Sequence, residues 1–497
     1  MTAPPISDAP AADDFPEPDL DPRDWEAFRA AGRLALDQMI YHLATLRARK
    51  VWQQAPAAVR AHFEAGMPEP PRDIADVLGD VFADIEPYAG GNTHPLFMGW
   101  VQGAGTPAGM VAEMIAAGLD ANCGGRNHIG HDVERQITRW MAAAFGFPDD
   151  ASGLFVTGTS NANLLGLLVA RTQALGEDIR KTGLLGAGRQ LVAYTSTQAH
   201  GCVVQAMEMA GIGSNQLRLV PVGADYAMRV DLLPAMIDAD RREGLLPFLL
   251  IGSAGTVNTG AIDDLAAIAD VAASRQLWFH IDGAFGALAA LSPRLAPLVK
   301  GMERADSIAF DFHKWAQVPY DAGFLLVRDP RIHKATFANP VAYLQRAPRG
   351  LAAGETWPCD LGPDLSRGFR ALKTWFTFQV HGAAKIAACI EHTCRLAKYL
   401  EAKLAQSRDF ATCAPVALNI VCFGVKGSQD GSLNREIVID LHEQGDAAPS
   451  LTLLDGKPVI RAAIVNHRTK TMDIDHLIDV LGASLARVKE RQRTGSA

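Results

Sequence analysis

Short apolar runs that alternate with helical patterns constrain the fold of this chain more than any other feature. Six such runs are GLFVT (153–157), QLVAY (190–194), PFLLIG (247–252), LWFHID (277–282), SIAF (307–310) and GFLLV (323–327). Helical spacing is found between runs, as in segments 160–175, 199–211 and 263–275. Near-continuous apolar strands separated by helices are typical of a mostly parallel sheet with helices on both faces. The sequence therefore predicts an α/β fold, whose ligands bind at the carboxyl ends of the strands.

The regions on either side predict a division into domains. Residues 1–22 are rich in Pro, Ala and Asp, which predicts a flexible tail. Apolar residues recur at helical spacing from Asp24 onward, so residues 23–95 are expected to form a helical segment. Such an amphipathic helix needs a partner surface, supplied by the main lobe or by a second subunit. Residues 96–380 are expected to form the large domain.

The C-terminal part has a mixed pattern. A helical segment at 383–405 is followed by apolar runs at 416–425, 436–441 and 458–465, and by a last helix near 473–489. This mixture predicts a small α+β domain over 381–497. A chain of 497 residues is long enough for two or three such lobes.

Composition argues against several classes of partner. The net charge is −8 and there is no basic arm, so nucleic acid is not an expected partner. The seven cysteines form no C-x-x-C pair, which argues against a zinc knuckle or a disulfide framework. The N-terminus lacks a signal-peptide pattern, and no apolar run is long enough to cross a bilayer. We expect a cytoplasmic protein with no membrane partner.

One lysine lies in unusual surroundings. Lys314 stands in the segment AFDFHKW (309–315), directly after an apolar run and between His313 and Trp315. Most lysines are solvated surface groups. Partial burial would lower the pKa of this amine and make it a nucleophile towards an aldehyde.

A carboxylate ends another predicted strand. Asp282 closes the run LWFHID and is followed by Gly283 and Ala284. It is either a helix cap or an acid beneath a flat cofactor, where it would keep a pyridine nitrogen protonated. Small residues after it would leave room for a ring.

Two further turns follow predicted strands. FVTGTSNANL (155–164) leads through Thr159 and Ser160 into a helix, whose N-terminus suits a phosphate. The segment TQAHG places His200 after the next strand, as a structural histidine or as one that stacks on a cofactor ring. All four segments follow predicted parallel strands, which makes their combination more informative than any one of them.

These motifs resemble those of the group II pyridoxal-phosphate decarboxylases of fold type I, which are aspartate-aminotransferase-like. The resemblance covers nearly the whole chain after residue 22 and includes, besides the four segments, HPLF from His94, SAGTVNTGAID, and SRGFRALKTWFTFQVHG (366–382). It implies pyridoxal 5'-phosphate as cofactor, a homodimer, and decarboxylation of an L-amino acid, first of all an aromatic one. The alternatives are an aliphatic or acidic substrate, an aldehyde synthase, or an aminotransferase.

The resemblance also implies roles for individual residues. Lys314 holds the cofactor as a Schiff base, and Asp282 pairs with the pyridine nitrogen. The remaining cofactor-binding positions are Thr159, Ser160 and His313 at the phosphate, His200 and Ala284 on the two ring faces, Thr256 near the imine, and Asp311. A loop at about 338–356 carries Tyr343, which corresponds to the family's proton donor.

Four residues are candidates for the substrate pocket. Phe97, the last residue of the HPLF segment, and Trp100 and Val101 after it lie where relatives place substrate-pocket residues, and they favour an apolar or aromatic side chain. Gly103 and Asp311 depart from the family pattern of Thr and Asn, so the acid at 311 must be neutralised or point away. Arg461 is a candidate anchor for the substrate carboxylate, or a structural arginine.

A metal enzyme is a rival interpretation. The run HIGHDVE places His128, His131, Asp132 and Glu134 close together, and paired histidines with acids look ligand-like. The spacing matches no established metal motif, so no metal is expected.

Overall fold

The computed structural model describes residues 19–339, 341–354, 356–428 and 430–495. The chain divides into two compact units. One comprises Met1–Thr45 and Ala55–Ala89, and the other comprises Leu46–Gln54 and Gly90–Ala497. No helix within the described ranges is long and apolar enough to cross a membrane.

The first unit is helical. Its helices are α1 (Trp25–Ala44), α2 (Ala57–His62) and α3 (Ile74–Asp80), and a π-helical turn, Val81–Ile85, follows α3. Helix α1 begins where the Asp24 carboxylate accepts hydrogen bonds from the N–H groups of Glu26 and Ala27. The helix predicted from Asp24 is therefore confirmed. Large apolar side chains remain exposed along α1, namely Trp25, Phe28, Leu34, Ile40 and Tyr41.

The second unit contains the strands of two sheets. In chain order these are β1 (Phe97–Met98), β2 (Ser152–Val156), β3 (Leu191–Ser196), β4 (Leu217–Val220), β5 (Leu246–Ser253), β6 (Trp278–Asp282), β7 (Ser307–Asp311), β8 (Gly323–Val327), β9 (Phe410–Thr412), β10 (Ile420–Val425), β11 (Ala448–Leu454) and β12 (Lys457–Ala463).

Helices lie between these strands and after the last of them. They are α4 (Pro107–Leu119), α5 (Gly130–Phe145), α6 (Thr159–Leu175), α7 (Ile179–Gly186), α8 (Gly201–Met209), α9 (Leu233–Arg242), α10 (Leu265–Arg275), α11 (Pro330–Phe337), α12 (Arg370–Gln406), α13 (Ser432–Gln444) and α14 (Thr471–Thr494).

The large sheet has the order β2-β8-β7-β6-β5-β3-β4. Strand β8 is antiparallel to both of its neighbours, and the other pairings are parallel. Its two faces contribute to different cores: along β8, Phe324 and Leu326 join one core, and Leu325 and Val327 join the other. Helices α5 and α10 supply apolar residues to the first core and α6 supplies them to the second. The predicted parallel sheet, covered on both faces, is confirmed.

The small sheet has the order β1-β11-β12-β10-β9. It packs on α12, α13 and α14 through a separate apolar core that includes Phe423, Ile460 and Leu441. The run 436–441, which is apolar enough for a strand, is helical and lies inside α13. Glycines with positive φ, Gly431 (71°) and Gly445 (77°), mark the two ends of this helix.

Candidate active site

A cavity of about 350 Å³ opens at the carboxyl ends of the central strands of the large sheet. This is where the strand order predicts a ligand site. The lining residues come from the segments after β2, β3, β5, β6 and β7 and from one loop before α4. They are Trp100, Val101, Gln102, Thr157, Gly158, Thr159, Ser160, His200, Cys202, Ser253, Gly255, Thr256, Val257, Asp282, Ala284, Phe285, Asp311, His313, Lys314 and Tyr320.

Lys314 forms an ion pair inside this cavity. Its Nζ lies 2.9 Å from Oδ2 of Asp311, and the Asp311 side chain is only 2% exposed. The other carboxylate oxygen, Oδ1, accepts a hydrogen bond of 2.7 Å from the N–H of Thr159. Asp311 therefore does not point away from the site; it is neutralised by the lysine three residues later.

The start of α6 forms the polar end of the cavity. Thr159 is buried, and its hydroxyl oxygen has no hydrogen-bond partner within the described chain. The His313 ring is also buried, and its Nδ1 accepts a hydrogen bond of 3.0 Å from the N–H of Ala322. Burial lowers the pKa of His313. A hydroxyl without a partner, a helix N-terminus and an imidazole N–H together suit a phosphate group.

Asp282 lies at the end of β6 and is almost fully buried. Burial raises the pKa of this carboxyl, whereas His200 and Lys314 act in the opposite direction. The N–H of Ala284 donates to Oδ1 at 3.2 Å, and Nδ2 of Asn163 donates to Oδ2 at 3.1 Å. These donors favour the carboxylate form, which a cationic ring nitrogen requires as its partner.

His200 caps the N-terminus of α8. Its Nδ1 accepts a hydrogen bond of 3.1 Å from the N–H of Cys202, so in the neutral ring the proton is on Nε2. The Cys202 thiol also lines the cavity, and burial raises its pKa to about 11. This thiol is therefore neutral at physiological pH.

Of the four predicted substrate residues, two line the cavity and two, Phe97 and Arg461, do not. Trp100 and Val101 lie at its wall, each with a φ of 49°. Phe97 lies instead in β1 of the small sheet, buried and with its ring 6.1 Å from that of Trp100. Gly103 is required by packing, because a Cβ there would overlap the backbone carbonyl of His313.

Arg461 and Tyr343 lie outside the cavity lining. Arg461 is buried in β12, where Nη1 donates to Oγ of Ser450 at 3.1 Å. Its Nε and Nη2 have no partner in the described structure, and burial lowers the pKa of the guanidinium to about 10. Tyr343 is 71% exposed on its loop. Their roles as carboxylate anchor and proton donor stay predictions.

The histidine cluster of the metal hypothesis has another structural explanation. The rings of His128 and His131 lie 4.3 Å apart, but the carboxylate of Glu134 is bound by Arg367 at 2.9 Å. Within the described ranges no three His, Cys, Asp or Glu side chains converge as metal ligands.

Some lining residues were not anticipated from the sequence, notably Gln102, Cys202 and Tyr320. Asn163 was also missed as the partner of Asp282. Helical spacing contains a signal for it, since Asn163 lies four residues after Thr159 on the same side of α6.

Comparison with known proteins identifies the family. The sequence model described as pyridoxal-dependent decarboxylase conserved domain matches residues 56–426. An aromatic-L-amino-acid decarboxylase of Bacillus atrophaeus is 32% identical, over 90% of this chain and 93% of the relative. A phenylacetaldehyde synthase of Arabidopsis thaliana is 29% identical, over 90% and 93% of the two chains. The chain belongs to the pyridoxal-dependent decarboxylase family.

Solved structures confirm the fold. The crystal structure of Oryza sativa TDC with PLP and tryptamine superposes with a TM-score of 0.87 at 23% identity, covering 95% of this chain and all of that one. The predicted fold type I is therefore correct. The protein is a pyridoxal-phosphate-dependent amino-acid decarboxylase, a lyase that acts on an amino acid.

The cavity fits this cofactor. At one end, the partnerless hydroxyl of Thr159 and the start of α6 suit the phosphate. Asp282, buried and held by two donors, suits the pyridine nitrogen. The amine of Lys314 suits the aldehyde.

Proposed function

We propose that the chain decarboxylates an aromatic L-amino acid to the amine and CO₂, as a homodimer in the cytoplasm. One observation carries the proposal: Lys314, Asp282 and the start of α6 line a single cavity that Trp100 and Phe285 also line. The aromatic specificity is supported by the Bacillus atrophaeus relative. A cytoplasmic location is supported by the seven cysteines, all of them in the described ranges and all unpaired.

The cofactor would be held by the residues already described. Lys314 would bind its aldehyde carbon, Asp282 its ring nitrogen, and Thr159, Ser160 and His313 its phosphate. His200 and Ala284 would contact the two ring faces, and Thr256 would line the site near the imine. When bound, pyridoxal phosphate supplies an electron sink for the bond that breaks at Cα.

The protein's own contribution is orientation and proton transfer. Clamping the amino acid with its carboxylate perpendicular to the cofactor plane selects the bond to CO₂ over the bond to hydrogen. Asp311 would remain hydrogen-bonded if the amine of Lys314 moved to the cofactor, because its other oxygen accepts from the N–H of Thr159.

Tyr343 is proposed to donate the proton that replaces CO₂, and to do so in the cavity of a partner subunit. It does not line the cavity of its own chain. Its loop is held elsewhere by Arg346, which pairs with Asp360 at 2.6 Å and stacks over Trp357 at 3.4 Å. The exposed apolar side chains of α1 offer a dimer surface.

The substrate class is tested with a panel of L-amino acids. We expect kcat/KM for Phe, Tyr or Trp to exceed that for Leu or Glu by about tenfold or more. An apolar pocket favours the substrate whose side chain buries the larger apolar surface. CO₂, amine and aldehyde are measured separately. A preference for Leu or Glu would reject the aromatic assignment, and aldehyde as the main product would favour a synthase like the Arabidopsis thaliana relative.

Removing the proposed proton donor should change the product. Tyr343→Phe is expected to retain cofactor absorbance but to lose amine formation by about 10²-fold, since a positioned general acid contributes on this scale. Loss of amine with continued CO₂ release would indicate diversion to aldehyde. Tyr399→Phe is the control, because it removes a hydroxyl that donates to Asp475 outside the cavity lining. Equal amine turnover in Tyr343→Phe and wild type would remove Tyr343 from the reaction.

A further inference from the structure

A chain of hydrogen bonds extends from Asp282 into the core. Nδ2 of Asn163 lies 3.1 Å from Oδ2 of Asp282, and Oδ1 of Asn163 lies 2.9 Å from Nε2 of His280. Nδ1 of His280 lies 2.7 Å from Oγ of Ser307, which accepts a hydrogen bond of 2.8 Å from Nε1 of Trp278. All five side chains are at least nine-tenths buried.

The fold aligns these groups. Trp278, His280 and Asp282 alternate along β6 and so point to the same face of the sheet. His280 is paired in register with Ser307 on the adjacent strand. Helix α6 supplies Asn163, and comes close because Gly166 has no side chain: a Cβ there would lie 2.8 Å from Cε1 of His280.

The direction of these hydrogen bonds follows from the carboxylate form of Asp282. An ionised carboxylate only accepts, so Asn163 donates to it through Nδ2 and turns Oδ1 towards His280. Nε2 of His280 then carries the proton and donates it to Oδ1 of Asn163, and Nδ1 accepts from the Ser307 hydroxyl, which itself accepts from Trp278. This fixes the amide of Asn163 with its NH₂ group towards Asp282 and Cys202.

We propose that His280 and Asn163 are positioning residues that hold Asp282 as a carboxylate, by fixing the Asn163 amide with its donor towards the acid. With Asp282 ionised, the hydrogen bonds from Trp278 to Asp282 have one arrangement of protons. If the amide turned over, its oxygen would face the carboxylate and destabilise the charge.

Burial makes this arrangement necessary. It raises the pKa of Asp282, and the groups that oppose this effect include the Asn163 donor. Burial also lowers the pKa of His280 to about 3, so the ring is neutral and one nitrogen must accept. The other titratable groups that act on Asp282 are His200, Lys314 and Cys202.

The consequence for the cofactor rests on the proposed function. A firmly charged Asp282 keeps the ring nitrogen cationic, and that charge disfavours a second proton on the imine. Weakening the chain should therefore raise the pH midpoint at which the absorbance of the lysine-bound cofactor changes. This midpoint can be read without substrate.

A matched pair of substitutions tests this chain of hydrogen bonds. In His280→Gln, the side-chain amide reaches the position of Nε2 and still donates to Asn163. In His280→Asn, the shorter amide reaches only the position of Nδ1, so this donor is lost. We expect the midpoint to stay within about 0.3 unit in the Gln variant and to rise by about one unit in the Asn variant, the scale of a hydrogen bond to a charged group. Ser307→Ala, a smaller change, should raise it in the same direction.

Two further variants separate the possible outcomes. Thr195→Val removes a buried hydroxyl that donates to Ile251 outside the chain, and should leave the midpoint unchanged. Asp282→Asn should give the largest shift. If Asp282→Asn shifts the midpoint and neither His280→Asn nor Ser307→Ala does, this proposal fails and the proposed function stands. If Asp282→Asn has no effect, the assigned role of Asp282 fails and the proposal fails with it.

Discussion

Replacing Lys314 with alanine is expected to abolish the absorbance of the lysine-bound cofactor and to reduce decarboxylation by on the order of 10³-fold or more. Lys314 is the lysine that lines the cavity, and its amine is held by Asp311 at 2.9 Å. No other cavity residue supplies an amine that can condense with an aldehyde. The measurements are an absorbance spectrum after reconstitution and the rate of CO₂ release.

The alanine variant alone does not separate chemistry from stability. It leaves the Asp311 carboxylate, 2% exposed, without its cation, which destabilises a protein by a few kcal/mol. Lys314→Arg keeps a positive charge beside Asp311 but lacks a nucleophilic amine. We expect both variants to lose the absorbance of the lysine-bound cofactor. The unfolding midpoint of the arginine variant should be closer to that of the wild type than the unfolding midpoint of the alanine variant.

Lys300→Ala serves as the control, because this lysine is exposed after a 3-10 turn on the surface of the second unit. It should retain both absorbance and activity. Cofactor absorbance that persists in Lys314→Arg would mean that another amine holds the cofactor.

The parts of the fold that the sequence predicts well are those with local signals. The run SIAF differs from β7 by one residue, and GFLLV coincides with β8, because strands buried on both faces have continuous apolar patterns. The segments that carry Thr159, Asp282 and Lys314 meet because parallel strands present their carboxyl ends at one edge. Periodicity does not distinguish a strand from a helix at 436–441, because a short apolar run fits either structure. This segment is helical.

Other features depend on contacts between distant segments. Asp311 is neutralised by the lysine three residues later, but its second oxygen accepts from the N–H of Thr159, 152 residues away. Phe97 belongs to the small sheet because β1 pairs with β11, whose residues are about 350 positions further on. No local pattern encodes such pairings. The same applies to the hydrogen bonds behind Asp282, which join side chains of α6, β6 and β7.

A buried ion pair supports the strand that leads to the phosphate end of the cavity. Nη2 of Arg367 donates to Oε1 of Glu134 at 2.9 Å and to the carbonyl of Phe155 at 2.8 Å. Oε1 of Glu134 also accepts the N–H of Phe155 at 2.9 Å, and Nη1 of Arg367 donates to the carbonyl of Cys123. The pair therefore fixes the backbone of β2 just before Thr159.

Arg367→Ala is expected to lower the free energy of unfolding by about 3–5 kcal/mol, because it leaves the Glu134 carboxylate buried without a cation. The side chains of Arg367 and Glu134 are only 2% and 7% exposed, so the Glu134 carboxylate has little contact with water. We expect cofactor retention to fall as well, since the phosphate turn follows β2. Urea unfolding and the dissociation constant of the cofactor measure the two effects.

The matched control is Arg135→Ala, on the same helix as Glu134. Its pair with Asp132 is more than half exposed on both sides, and such pairs contribute about 0–1 kcal/mol. The double variant Arg367→Met with Glu134→Leu should recover part of the loss, because it removes the unpaired charge together with its partner. If Arg367→Ala costs no more than Arg135→Ala, Glu134 must be reached by water, and the pair is not what holds β2 in position.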